Sequence, residues 1–533
     1  MSEIEKLVHG SYEDLFSIDD EGITYDDPSH MARILSPRII DESTLFAIDI
    51  KDLFNSINHT KTRTGAATLF RSLVRPLDSL ELITEKQNSL EELERDREKR
   101  EALNDYLNSL AKREQYLHRY LFQCLYCQNE PYNLRFVDQY KLYHESMEFF
   151  KNMIEGAKDL PSFDSPYIGI LVEDIRNIDA KRVFELIKGP VYKTLEGLKT
   201  RKEVRIYTPR IKFTLRSFKP TMAIPYVAFF CLALVAPLQI LAVLGVILYT
   251  PIVYGFPEKF DGRYFVTPLK EVYKEDSSIR SGIHALGMID ELLSFYDYSK
   301  VMGGDMVLPQ VSSSDRHYFV AKKARNPILA KGNPEYVPND VGLKEHELTI
   351  ITGANSGGKT TYCKTIAQMQ LLSQIGSYVP AEEAELSIAD KILYQAPAFG
   401  SILDAEGRFG IELKRTRDIF FKATPRSLVI LDELAEATTY EEKMEISYAI
   451  LNGFSKIGST TALVTHNHEL ASRFQQEGKS QNLQVEFRNR KPTYRLVPGV
   501  AKKSHAELIA EKIGFSAKDI NSYLKRKDTS EIS

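Results

Sequence analysis

The first chemistry in this sequence lies in Gly353-Ala354-Asn355-Ser356-Gly357-Gly358-Lys359-Thr360, which has the form GxxxxGK[ST]. An apolar run, ELTIIT, precedes it, and a helical pattern, TYCKTIAQMQLL, follows. That order of strand, loop and helix is what a phosphate cradle requires. Glycines let backbone N–H groups wrap the phosphates, and a helix N-terminus adds partial positive charge. Lys359 is placed to reach β- and γ-phosphates, and the Thr360 hydroxyl to bind Mg²⁺. Thr361 completes the predicted nucleotide-binding set.

Two further apolar runs end in groups suited to the same ligand. SLVILDE (Ser427 to Glu433) reads as a buried strand ending in two acids. Asp432 fits a carboxylate that holds Mg²⁺ with Thr360. Glu433 is placed to activate an attacking water. TALVTH (Thr461 to His466) is another apolar strand, and its terminal His466 could sense a γ-phosphate. Lone histidines are more often structural, but the order of phosphate loop, acidic strand and histidine strand favours function. Lys359, Glu433 and His466 are thus the expected catalytic groups.

Such groups need a sheet to carry them. After Val301, short β-rich runs alternate with helical stretches to about Pro498, the pattern of α/β layering around a parallel sheet. Earlier residues read differently. From about Thr44 to Leu121, apolar residues fall at three- and four-residue steps, as helices require. SLEELERDREKREALNDYLNSLAKREQYLHRYL predicts one long, charged helix with a solvated face and internal i,i+4 pairs. Cys124 and Cys127 form a CxxC with no second cysteine pair, so structural cysteines are expected there.

Composition bounds the rest. A chain of 533 residues suggests roughly three or four domains. With 43% hydrophobic and 27% charged residues, it is not a largely disordered chain. The net charge of −4 excludes a globally basic nucleic-acid coat, and four cysteines exclude a disulfide scaffold. The acidic, polar start does not read as a secretory signal.

One stretch departs from this average. Thr221 to Pro257 contains no Asp, Glu, Lys or Arg, and the segment before it gathers Arg201, Lys202, Arg205, Arg210, Lys212, Arg216 and Lys219 against the single acid Glu203. A transmembrane helix needs about 20 apolar residues. The run therefore predicts a membrane-inserted hairpin turning near Pro237, with both ends on the cytoplasmic face because the basic flank and the nucleotide site both belong there. The expected location is the cytoplasmic side of the cell membrane, with a soluble cytoplasmic protein as the alternative.

Together these residues resemble the MutS-type ATPases of the ABC superclass. TGANSGGKTTYCKTIA is similar to that family's phosphate loop, and GSYVPAEEAELSIADKI to the segment after it. LVILDEL and ALVTHNHEL resemble its acidic and switch-histidine strands. YVPNDVGL resembles the lead-in whose first residues contact adenine, which implies Tyr336 and Val337 as base contacts. LVPGVAKKSHAELIAEKIGF resembles the helices that join two subunits, and LFNSINHTKTRTGAATLFRSLVRPLDSLELI the helical lever.

The resemblance implies an α/β P-loop (ABC-type) ATPase over 301–500, preceded by an all-α lever domain over 44–200 and 266–300. A basic segment and the apolar hairpin would occupy 201–265, with an N-terminal segment over 1–43 and a helical dimerisation segment over 501–533. ATP and Mg²⁺ are the implied cofactors, a homodimer the implied assembly, and DNA, mismatched or branched, the implied partner. Roughly 40 residues precede the lever match, so an N-terminal mismatch-reading domain is expected to be absent. Gly407 falls where the family has its signature serine, and LAEATTYEEK replaces a glycine-rich loop, both of which point to slow turnover. Two alternatives stand beside this reading: a membrane-bound mechanochemical ATPase with no DNA role, and a nucleotide-gated scaffold.

Overall fold

The computed structural model describes residues 39–122, 135–178, 191–194, 197–200, 220–235, 237–250, 277–344, 348–354, 357–397, 407–434, 440–489, 491–501 and 513–522. The basic segment at 201–219, the CxxC, Asn355 and Ser356 lie outside them.

The residues expected to form the lever are helical: α1 (Glu42–Ala47), α2 (Ile50–Ile57), α3 (Arg63–Val74), α4 (Leu80–Arg95), α5 (Arg97–Phe122), α6 (Arg135–Asp159), α7 (Pro166–Arg176) and, after the apolar region, α10 (Ser277–Val301). A short hairpin, β1 (Val191–Thr194) with β2 (Gly197–Thr200), precedes the apolar region. Helix starts are set by side chains that satisfy the free N–H groups of a first turn. Asp41 caps α1 at Thr44 N (2.9 Å), and Thr62 caps α3 at Gly65 N (2.9 Å).

The start of α3 is also gripped by two buried carboxylates from other helices. Asp290 of α10 accepts from Lys61 N (2.9 Å) and Thr62 N (2.7 Å). Glu114 of α5 accepts from Arg63 N (2.6 Å), Thr64 N (2.7 Å) and the Thr64 hydroxyl. The contact is close enough that a Cβ on Gly65 would sit 2.2 Å from Asp290 Oδ2. The stretch expected to form one solvated helix is instead two helices. The chain breaks at Asp96, whose backbone is extended (φ −106°, ψ 100°). Glu92 and Glu114 within that stretch are buried rather than solvated, because they cap neighbouring backbone.

The apolar run forms α8 (Pro220–Ala233) and α9 (Gln239–Thr250), with Pro237 in the turn between them. Tyr226 and Tyr249 meet edge to face at 5.2 Å. No described helix is long and apolar enough to cross a membrane. At 1.5 Å per residue the 14 residues of α8 and 12 of α9 span about 21 and 18 Å against a hydrocarbon core of about 30 Å. The expected membrane-inserted hairpin is therefore corrected, and the membrane partner expected through 221–257 falls with it. The turn divides the described part of the charge-free run into helices that are each too short.

The α/β part carries two sheets. One holds six strands in the order β12-β11-β6-β10-β9-β8: β6 (Leu348–Thr352), β8 (Lys391–Gln395), β9 (Ser427–Asp432), β10 (Thr460–Thr465), β11 (Ser480–Arg488) and β12 (Lys491–Pro498). All neighbours are parallel except β12 against β11. The other has the order β3-β7-β4-β5: β3 (Gln310–Ser312), β4 (Phe319–Ala324), β5 (Asn339–Leu343) and β7 (Glu383–Ser387). Strands β6, β9 and β10 are buried at every position, as expected of apolar runs covered on both faces. Helices α12 (Gly407–Lys422), α13 (Tyr440–Ile457) and α14 (His468–Gln476) complete this part with α11 (Lys359–Gln374).

Helix α11 joins the two parts. Its buried glutamines reach out to the lever: Gln368 Nε2 donates to Ile48 O (2.8 Å) and Gln374 Nε2 to Leu77 O (3.0 Å). Lys364 of the same helix pairs with Asp49 at 2.6 Å. The lever also lengthens the large sheet: Ile392 N of edge strand β8 donates to Ile39 O (2.8 Å), and Ile40 bridges Ile392 in parallel.

Candidate nucleotide-binding site

Register decides what meets at the carboxyl edge of the large sheet. Thr352 lies opposite Thr465, and Asp432 opposite Val464, so β6, β9 and β10 end side by side. The loop after β6, the acids ending β9 and the histidine after β10 therefore share one edge. This is where parallel α/β sheets place ligands, since the chain leaves each strand there into a loop.

The loop after β6 needs unusual backbone. Gly353 (φ 132°) and Gly358 (φ 86°) occupy the left-handed half of conformational space, and Gly358 is the residue from which α11 starts. Lys359 folds over the loop, donating from Nζ to Gly353 O (2.8 Å) and Ala354 O (2.9 Å). Burial pushes its ammonium down to about 8, against the pull of Asp432 and Glu433. An anion entering the loop would meet a cation held by weak acceptors and poorly solvated.

Asp432 closes β9. Burial pushes its carboxyl up, while the Thr360 hydroxyl bonded to it and the charge of Lys359 pull it back. Thr360 and Asp432 thus meet. Two hard oxygens fit Mg²⁺, which is typically held by one or two protein oxygens together with substrate phosphate and water. Among the described residues no cluster of three or more His, Cys, Asp or Glu could hold a metal on its own. The pair therefore suits an ion that arrives with a polyphosphate.

Glu433 has a left-handed backbone (φ 69°), and its N–H donates to Val464 O (2.9 Å). That conformation costs a non-glycine residue on the order of 1–3 kcal/mol and turns the side chain off the strand line. Its Oε1 lies 3.7 Å from His466 Nε2. Lys359, Thr360, Asp432, Glu433 and His466 therefore converge.

Beside them opens a cavity of about 470 Å³, within the range of small-molecule sites. Tyr336, Val337, Gly358, Thr360 and Thr361 line it, which joins the expected base contacts to the phosphate loop. Tyr494 lines it too, and sequence reasoning missed it. It stands on β12 with φ 62°, and Asn339 Nδ2 donates to its carbonyl (2.9 Å). No motif marks Tyr494; the contact of β12 with Asn339 of β5, distant in sequence and in the other sheet, brings it here. Gly407 is the first residue of α12.

The family MutS domain V matches residues 349–527, and MutS domain III matches residues 42–295. Relatives include the DNA mismatch repair protein msh3 of Aspergillus terreus, 32% identical over 265 residues, covering 46% of this chain and 23% of the relative. The DNA mismatch repair proteins MutS of Acetivibrio thermocellus and Desulforamulus reducens are 32% and 35% identical over 211 and 212 residues, each match covering 39% of this chain and 24% of the relative. The chain thus matches less than a quarter of the length of these curated relatives.

Proposed function

This chain belongs to the MutS family, and from that membership and the converged edge we propose that it binds ATP with Mg²⁺ and hydrolyses it. The observation that carries the reading is the meeting of Lys359, Thr360, Asp432 and Glu433 at the ends of neighbouring strands. Adenine occupies the cavity beside Tyr336, Val337 and Tyr494. Lys359 exchanges the carbonyls of Gly353 and Ala354 for phosphate oxygens. Thr360 and Asp432 would hold Mg²⁺, which supplies neutralising charge on the phosphates. Glu433 accepts a proton from the attacking water, and His466 keeps its carboxylate in place.

In the same reading the lever carries nucleotide state to DNA, and two copies pair to complete the assembly. The match to MutS domain III over the lever and the names of the relatives support this part. Binding of a fluorescent ATP analogue and phosphate release by wild type, Lys359→Ala and Glu433→Gln test the core of it. Wild type should bind and turn over, K359A should lose binding, and E433Q should bind without turnover. Wild type no faster than either variant would overturn the enzymatic reading.

A further inference from the structure

A line of contacts runs from the lever to the carboxylate assigned to Mg²⁺. Thr44 of α1 is buried, and its Oγ1 accepts the backbone N–H of Tyr394 (3.0 Å). On the other side Arg415 Nη2 donates to the Tyr394 carbonyl (2.7 Å). The backbone of this β8 residue is thus held from two elements outside the sheet. Its side chain is wholly buried and reaches under the neighbouring strand, where the phenol lies 3.5 Å from Asp432 Oδ2.

Asp432 is the one hydrogen-bond partner of that hydroxyl among the described residues. A buried phenol needs a partner, and an ionised carboxylate can only accept, so the phenol donates. The separation is the outer limit of such a bond, about half an ångström beyond its usual range. Thr44 and Arg415 hold the Tyr394 backbone, so the phenol faces Asp432 from a fixed position on the strand.

We propose that Tyr394 is a positioning residue for Asp432, seated from the lever by Thr44, so that the docking of α1 sets how tightly Mg²⁺ is held. The proposal rests on the nucleotide-site reading above. Further contacts fix the seat. Asp41 before α1 pairs with Lys422 (3.3 Å), and Asp49 after it pairs with Lys364 (2.6 Å) on the helix that begins with Lys359 and Thr360. Tyr394 touches neither substrate nor metal in this scheme. It acts through the orientation of a ligand, as groups behind metal-binding side chains do.

The test uses the full chain with Tyr394→Phe, which removes only the hydroxyl. Free Mn²⁺ is followed by electron paramagnetic resonance during titration of the ADP-bound protein, and affinity for a fluorescent ADP analogue is measured in EDTA. Y394F should weaken Mn²⁺ binding roughly 10-fold while metal-free nucleotide affinity and melting temperature stay at wild-type values. Thr44→Val should shift Mn²⁺ affinity the same way, and Thr44→Ser should restore it. If Y394F does not fold, T44V carries the same measurement. Mn²⁺ affinity unchanged in Y394F and T44V, with a wild type that binds nucleotide, would overturn the positioning role alone. A wild type that binds no nucleotide would overturn the site reading and the proposal with it.

Discussion

Asp290 accepts both the backbone N–H and the hydroxyl of Thr62, at 2.7 and 2.6 Å, although the two residues lie 228 positions apart. The first is near the middle of the returning lever helix and the second caps α3. This carboxylate therefore ties the outgoing and returning helices together. Because it is buried, its carboxyl is pushed up to about 6.

That value gives a pH prediction. The folded-state pKa lies above the ordinary aspartate value near 3.8, so the folded protein binds more protons between about pH 4 and 6. The contribution is fully present below pH 4 and is lost as pH rises through 6, with a size of roughly 3 kcal/mol. Denaturant melts of wild type and Asp290→Asn from pH 4 to 7 isolate it. The wild-type stability should fall relative to D290N across that window. A parallel pair of curves would refute the assignment.

Lys86 and Glu291 form a buried pair at 2.7 Å, with side-chain exposures of 5% and 1%. Removing one partner strands a charge, which typically costs about 3–5 kcal/mol. Lys86→Met should therefore destabilise by that amount in urea unfolding. The double variant K86M/E291L should recover most of it. If the double variant falls as far as the single one, packing rather than charge dominates the site.

Glu433→Gln keeps the shape of the side chain and removes its basicity. Loss of a general base typically slows turnover about 10²–10⁴-fold. Steady-state phosphate release should drop in that range while nucleotide affinity stays within about twofold. A comparable loss of affinity would show that Glu433 binds rather than activates.

Tyr494→Ala removes one wall of the cavity and leaves the phosphate loop intact. Burying an aromatic side chain contributes about 1.5–3 kcal/mol, so ATP affinity should fall roughly 10-fold or more. Tripolyphosphate, which has no base, should compete as well against a fluorescent nucleotide in the variant as in wild type. An equal loss for both would place Tyr494 outside the base site.

What the sequence disclosed follows from chain locality. Gly353 to Thr360 are consecutive in the sequence, and Asp432, Glu433 and His466 each fall at the end of an apolar run, so patterns single them out. Strand register then brings them together, and any parallel order placing β6 beside β10 and β10 beside β9 would suffice. Tyr394 reaches Asp432 across a strand and Tyr494 lines the cavity from β12, and nothing within a few residues of either announces it. Glu114 and Glu92 were hidden for another reason. In a run of alternating charges, a carboxylate that caps a neighbouring segment has the same letter as one facing water. The apolar hairpin shows the limit of composition: 37 charge-free residues speak for burial in something apolar, but turn placement governs length, and length decides whether a bilayer can be crossed.

The pairing of Ile39 with Ile392 carries a practical consequence. Bare edge strands offer unpaired backbone to other chains and invite aggregation. Here one flank of β8 is covered by the residues leading into α1. A truncation that removes residues through Ile40 would uncover that flank of the sheet. Shortened versions of the protein should be cut ahead of Ile39 if they are to remain monodisperse in solution.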